Sequence, residues 1–349
     1  MDQGITETIG VDLGDRYSAY CVLDHASGEE VESGRLRTTP AAFEKFFATR
    51  ATARTVMEVG THSPWVSRIV ASSCAETYVA NARELRFIFK NTRKSDDVDA
   101  RMLARVGRMD PELLSPIRHR GEEAQRDLVL IRARHALVTS RTKLVNSVRG
   151  LIKSSGARLP KQGAKSIGHR TRDRVPEALR ETLDPMLLTI EFLTDEIATY
   201  DRKVDQLATE RYPETAVLTQ VTGVGNLTAL AYVLTLEDPR HYACSRDVGA
   251  FLGLVPKRDQ SGEIDKQLRI TKTGDRLVRT LLVQCAHYIL GRNGPDTNLK
   301  QYGERIASRG GKIAKRKAVI AVARKLAVLL HALWRTGEVY DPNRTNCAA

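Results

Sequence analysis

Alternation of apolar and polar residues marks the start of the chain, and helical spacing takes over further on. Residues 8–12, 18–23 and 31–37 read as short strands, separated by Gly14-Asp15-Arg16 and His25-Ala26-Ser27-Gly28, both with turn chemistry. The pattern then predicts a helix over 40–49, a strand over 55–58, a helix over 63–73 and a strand over 77–80. Ser95 can cap the next helix, which runs to about residue 108. The order βββαβαβ predicts a mixed sheet flanked by helices.

Residues 121–154 read as one long helix. Leu130, Leu137, Leu144 and Leu151 recur at seven-residue intervals there, with Leu128, Ile131, Val138, Val145 and Ile152 widening the apolar face. A second run, Ile190, Leu193, Ile197, Tyr200, Val204 and Leu207, steps by three and four, the seam of a coiled coil. The two runs fit either an intramolecular hairpin or a dimer seam. The polar segment 156–174 between them reads as an exposed basic connection. In the last third, Gly223 and Gly225 sit between two helical patterns. That form fits a helix-hairpin-helix whose backbone N–H groups approach a phosphate, or an ordinary helix–helix turn. Gln260-Ser261-Gly262 reads as a loop between extended segments, Gly274 precedes a helix to about residue 290, and a last helix spans 312–335. The expected domains are 1–112, 113–211 and 212–349: an α/β domain, a helical coiled-coil middle, and a mainly helical C-terminal domain.

Length and charge sharpen this picture. A chain of 349 residues can bury sizeable cores without disulfides. Its formal charge of +13 is one-sided: residues 1–110 carry 15 basic and 16 acidic side chains, so the whole excess lies downstream. Such asymmetry points to a polyanion, with nucleic acid the leading partner. Lys312, Lys315, Arg316 and Lys317 open the last helix as a cluster suited to phosphates. Cys21, Cys74, Cys244, Cys285 and Cys347 are widely spaced with no C-x-x-C pair, so neither a disulfide framework nor a zinc site is indicated. A reducing cytoplasm is the expected compartment, and no signal or membrane-spanning segment is expected.

Candidate chemistry concentrates in four acids. Asp12 ends the apolar strand IGVD, Glu58 ends TVME, and Asp96 and Asp99 share a face in the first turn of a helix. Gathered together, four hard oxygen donors suit two magnesium or manganese ions, which can assist phosphodiester chemistry. The alternative is that the helix acids complement the helix dipole and the strand acids merely end strands. Asp97, 100° further round the helix, is off that face. Tyr17, Tyr20 and Trp65 read as packing residues, and His62 as a surface histidine or a neighbour of the acidic site.

These residues carry a resemblance. IGVDLGDRYSAYCVLD, MEVGTHSPW, KSDDVDARMLA, VTGVG, FLGLVPKRDQSG and LRITKTGDRLVRTLL occur in the order seen in the DEDD transposases of bacterial insertion sequences, and the likeness covers nearly the whole chain. The resemblance implies an RNase H-like, RuvC-like N-terminal domain and a C-terminal domain with a nucleophilic serine. Asp12, Glu58, Asp96 and Asp99 would be the metal-binding tetrad and Ser261 the serine. One departure follows Glu58, where Val-Gly-Thr-His replaces the commoner Ala-Thr-Gly. The resemblance further implies recombination of double-stranded DNA, guidance by a bridge RNA, action at the nucleoid, and a homo-oligomer assembling from dimer to tetramer. Lys257, Arg258, Arg269 and Lys272 would offset charge around Ser261, in a site assembled across domains.

Other readings compete. GVDLGDRYSAYCVLD also looks like the first phosphate loop of sugar kinases and actin-like ATPases, but that fold needs a second, duplicated half with another such phosphate loop, which is not expected here. A RuvC-like endonuclease would activate water and leave Ser261 idle. A non-catalytic nucleic-acid scaffold would explain the charge and leave the acids without a purpose.

Overall fold

The structure is a computed structural model that describes residues 4–81, 95–160, 163, 166–167, 171–262 and 264–343. Cys347 and the Lys94 that opens the KSDDVDARMLA block lie outside the described residues. The chain forms two compact units, Met1–Arg120 and Gly121–Ala349.

The first unit is built on the strands expected from alternation: β1 (Glu7–Asp12), β2 (Tyr17–Asp24), β3 (Glu30–Arg37), β4 (Ala53–Glu58) and β5 (Glu76–Ala80). They form one mixed sheet in the order β3-β2-β1-β4-β5, antiparallel along β1–β2–β3 and parallel along β1–β4–β5. Helices α1 (Pro40–Phe47) and α2 (Ser63–Ser73) supply the crossovers, and each starts with proline in its first turn, where the missing N–H costs nothing. Ile9, Val11 and Met57 pack on one face against Phe43, Phe47, Val66 and Val70. Phe43 and Phe47 are fully buried, each worth roughly 1.5–3 kcal/mol. Trp65 joins this cluster edge-on to Phe43, as expected. Tyr20 packs on Phe46 and donates to Glu32, whereas Tyr17, at the outer end of β2, stays 53% exposed and is not a packing residue.

The opposite face carries α3 (Asp96–Met109), capped by Ser95, whose Oγ accepts from the Val98 N–H. Gly10 explains how close this helix lies. A Cβ there would sit 2.0 Å from the Ala100 carbonyl oxygen and 2.5 Å from the Ala104 nitrogen, so no other residue fits without moving the helix.

The second unit opens with a helical hairpin, α4 (Glu122–Ser154) packed on α5 (Glu177–Arg211). The α5 seam is the one expected, with Ile190, Leu193, Ile197 and Val204 buried. The α4 seam is not the leucine heptad. Leu130, Leu137 and Leu144 are half-buried and Leu151 is exposed, while Leu128, Ile131, Val145, Val148 and Ile152 are buried. The seam steps through 131, 134, 138, 141, 145, 148 and 152, buried at all but the half-buried Arg134 and Val138, and two of its positions are arginines, which hid it. Arg134 pairs with Asp201, and Arg141 donates to Thr194 at 3.3 Å. The connection is also less exposed than expected, because Ile167, Thr171 and Val175 are buried, the first and last against Val148, Leu183 and Leu187. Its residues 161–162, 164–165 and 168–170 lie outside the described residues.

The remainder is mainly helical: α6 (Thr215–Thr219), α7 (Asn226–Leu236), α8 (Ser245–Phe251), α9 (Arg276–Ile289), α10 (Asn298–Ala307) and α11 (Gly311–Thr336), with a hairpin of β6 (Pro256–Ser261) and β7 (Ile264–Ile270). Helices α8 and α10 were not anticipated. Nine of the eleven residues of α7 are buried, in a core completed by α9 and α11. Among the described residues, no helix is long and apolar enough to cross a membrane.

Candidate active site

Parallel register brings the two strand acids together. Val11 pairs with Met57, so the next step sets Asp12 beside Glu58 at the C-terminal ends of β1 and β4, with Cα atoms about 5 Å apart. Strand alternation puts Asp12 on the face of Gly10 and Glu58 on the face of Val56. Both lie on the α3 side, since Gly10 meets Ala100 and Ala104, and a Cβ on Gly107 would lie 2.3 Å from Val56.

Three contacts fix the direction of α3 across that face. Asp97 receives Arg35 at 3.4 Å, and Arg35 pairs across to Ala19 and thence to Asp12. One turn on, Arg101 grips Glu30 at 2.6 and 3.3 Å, level with Leu23 and Thr8, and holds that carboxyl down at about 2. Two turns later Arg108 donates to the carbonyls of His25 and Ala26, both at 2.8 Å. The helix therefore runs antiparallel to β1 and starts where Asp12 and Glu58 end their strands. Asp96 lies one turn before Ala100, on the stripe above β1. Asp99 shares the stripe of Leu103 and Val106, which pack with Val56 and Ala80. Asp99 is buried at 7% exposure and Asp96 is exposed. Asp97, turned to Arg35, is off the site as its helical angle required.

The backbone thus places Asp12, Glu58, Asp96 and Asp99 at one end of the sheet, and carboxylates are the hard-oxygen donors that magnesium or manganese prefers. The side chains are less convergent. Among the described residues, no group of three or more His, Cys, Asp or Glu side chains stands in metal-holding geometry. Asp12, Glu58 and Asp99 each engage a neighbouring group. His62, at the N-cap of α2, accepts from Trp65 Nε1 at 3.2 Å and stands 3.8 Å from Asp15.

Ser261 lies within the second unit. It ends β6, is exposed, and pairs with Ile264 across a turn in which Gly262 takes φ +56°. Alternation puts Lys257 on its face, and the pairing of Asp259 with Lys266 adds a second lysine that the sequence reading missed. Arg258 faces the other way, bound through Nε and Nη2 to Asp265 at 2.8 and 2.9 Å, so its charge is already matched. Arg269 and Lys272 are exposed, and Lys272 takes φ +58°, unusual for a residue with a side chain. Gly223 adopts φ +95° between α6 and α7, where a Cβ would meet Tyr288, while Gly225 precedes α7 in open space. Lys312, Lys315, Arg316 and Lys317 are all exposed on the first two turns of α11.

Comparison with known proteins identifies a family. A transposase family model of the DEDD, IS110 type matches residues 9–155, and the "Transposase IS116/IS110/IS902 family" model matches 215–303. The transposase for insertion sequence element IS1111A of Coxiella burnetii is 27% identical over 344 residues, covering 95% of this chain and 90% of that protein. The transposase for IS1328 of Yersinia enterocolitica is 27% identical, covering 81% and 84%. A putative transposase of Sinorhizobium fredii is 26% identical, covering 80% and 76%. The chain belongs to the DEDD insertion-sequence transposases.

Proposed function

We propose that this transposase cuts and rejoins double-stranded DNA through a serine–DNA intermediate formed at Ser261, with Asp12, Glu58, Asp96 and Asp99 holding two divalent ions. The sheet order is compatible with an RNase H-like fold, and the single observation that supports the tetrad best is the register setting Asp12 beside Glu58 beneath the acidic first turn of α3. When bound, magnesium or manganese would lower the energy of charge developing on the reacting phosphate oxygens. In the cutting step the Ser261 Oγ–phosphorus bond forms as one backbone P–O bond breaks. The hydroxyl proton passes to solvent and the displaced DNA oxygen leaves as a hydroxyl end. Rejoining reverses the step with a hydroxyl end from the second DNA. Lys257 and Lys266, on the face of Ser261, would offset phosphate charge during both steps. Gly223, Gly225 and the cations opening α11 would contact DNA or RNA backbone, and a bridge RNA would choose the sites by base pairing, as in other guided systems. Assembly from dimers to a tetramer belongs to the same reading.

A second reading, an endonuclease that activates water, is favoured by the exposed position of Ser261 at the end of β6. Trapping separates the two. Incubating the protein with its element ends and denaturing should leave a protein–DNA adduct that is lost in Ser261→Ala. Asp12→Asn should abolish cutting as well. Cutting by Ser261→Ala at the parental rate would overturn the serine step, and full activity of Asp12→Asn the metal site.

A further inference from the structure

We propose that a groove in the second unit, bounded by β7, α10 and α11, binds an unpaired nucleic-acid strand. The inference rests on the nucleic-acid reading above and deepens it by naming the form of the polymer. The groove has a volume of about 1870 Å³, and nine of its lining side chains are Lys or Arg, against two carboxylates, Glu338 and Asp341. Arg269, Arg305, Arg309, Arg316, Arg324 and Lys325 are exposed, so their charges reach solvent. Between them the lining is apolar and recessed: Leu254 is buried, and Ile320, Ala321, Val328 and Leu329 are half-buried. One face of α11 presents Ile313, Lys317, Ile320, Arg324 and Val328 in turn, alternating apolar and cationic side chains over about 22 Å. Tyr302 adds a ring in the same groove, with Lys325 Nζ 4.6 Å and Arg305 5.8 Å from its centroid.

This pattern distinguishes two forms of the same polymer. A duplex hides its base faces and offers phosphates, which cations satisfy and recessed apolar side chains do not. A single strand offers base faces and phosphates side by side, so an apolar and aromatic lining can take the bases while Arg and Lys follow the backbone. DNA and RNA share that chemistry.

The test uses the full-length protein and fluorescence anisotropy with dT20, U20 and a 20-base-pair duplex. The parent should bind the single strands, and Ile313→Glu with Ile320→Glu should weaken both by roughly 10-fold while changing duplex binding by less than about 2-fold. Ile313→Ser, at a position 71% exposed, gives the same contrast with less risk to folding. Arg316→Ala with Arg324→Ala should weaken all three ligands by roughly 10-fold and flatten their salt dependence. The ratio of dT20 to U20 affinity identifies which strand the groove prefers. Equal losses for single strand and duplex in the apolar variants, no loss in either, or competition by an oligoglutamate as effective as dT20 would overturn the proposal. Absence of binding to every nucleic acid would overturn the proposal and the broader nucleic-acid reading together, whereas the Ser261 and Asp12 experiments, which do not touch this groove, test the serine step and the metal site separately.

Discussion

The two units bury arginine in different ways. In the first, Arg54 is 3% exposed and fully engaged, with Nε on Glu76 at 2.6 Å and Nη1 on the Gly107 carbonyl at 3.2 Å. In the second, Arg141 is 6% exposed on the α4 seam, has Thr194 as its hydrogen-bond partner, and leaves Nε unmatched. Burial lowers its pKa, assisted by neighbouring Arg134. The helix starts contrast in the same sense. Helix α3 begins with Asp96, Asp97 and Asp99, which suit the positive end of its dipole, while α11 begins with lysines and an arginine, which oppose it. The first unit balances its basic and acidic side chains almost one for one over residues 1–110. The second carries cationic charge that its own fold does not neutralise, and that a polyanion would.

Four measurements can break or sharpen this contrast. The largest effect belongs to Gly10→Val, which forces α3 off β1 and should destabilise the first unit by about 3 kcal/mol or more, read as loss of its unfolding transition. A stable variant would mean that α3 is not locked to the sheet. Next, Arg54→Met should cost about 3 kcal/mol by stranding Glu76, whereas Arg141→Met should be neutral or stabilising by about 1 kcal/mol in chemical denaturation. Equal losses at the two sites would erase the distinction.

Acidification should act on both units, because each holds a histidine bonded to a serine at a helix start, half-buried His119 in the first and fully buried His331 in the second. His119 Nε2 lies 2.8 Å from Ser63 Oγ; His331 Nδ1 lies 2.8 Å from Ser245 Oγ and its Nε2 2.8 Å from the Pro239 carbonyl. That carbonyl can only accept, so neutral His331 carries its proton on Nε2 and accepts from Ser245. Burial depresses both folded pKa values below 6.5, with neighbouring arginines adding to the effect. The unfolded chain therefore takes up protons first, and stability is retained above about pH 6.5 and falls as the pH drops below it. Denaturant midpoints at pH 7.5 and 5.5 should show this decline, and His331→Gln should reduce it. Last and smallest, Lys312→Glu should raise stability by about 0.5 kcal/mol while weakening nucleic-acid binding. A loss of stability there would show that the lysine serves the fold.

The first unit was legible in detail because one buried face of each strand enforces alternation. Observed strand ends fall within two residues of those expected, and Ser95 was readable as a cap. That Asp12 adjoins Glu58 depends on which strands pair in parallel, which alternation alone does not state. The second unit was harder. Heptad spacing marks several stripes of a helix equally well, and Arg134 and Arg141 disguised the stripe that is buried. Helix α8, with seven residues, is too short to establish a period. The groove was invisible because Arg269, Arg305 and Arg324 reach it from three elements far apart in sequence.

The ladder of contacts along α3 has a further consequence. Asp97, Arg101 and Arg108 occupy three levels of the same sheet edge, like the marks of a vernier. Sliding the helix by one turn, about 5.4 Å, would unseat all three at once and drive Ala100 and Ala104 away from the notch at Gly10. A slide of that size is thereby opposed at three points at once, which leaves side-chain rotation of the acids as the less costly way to rearrange them.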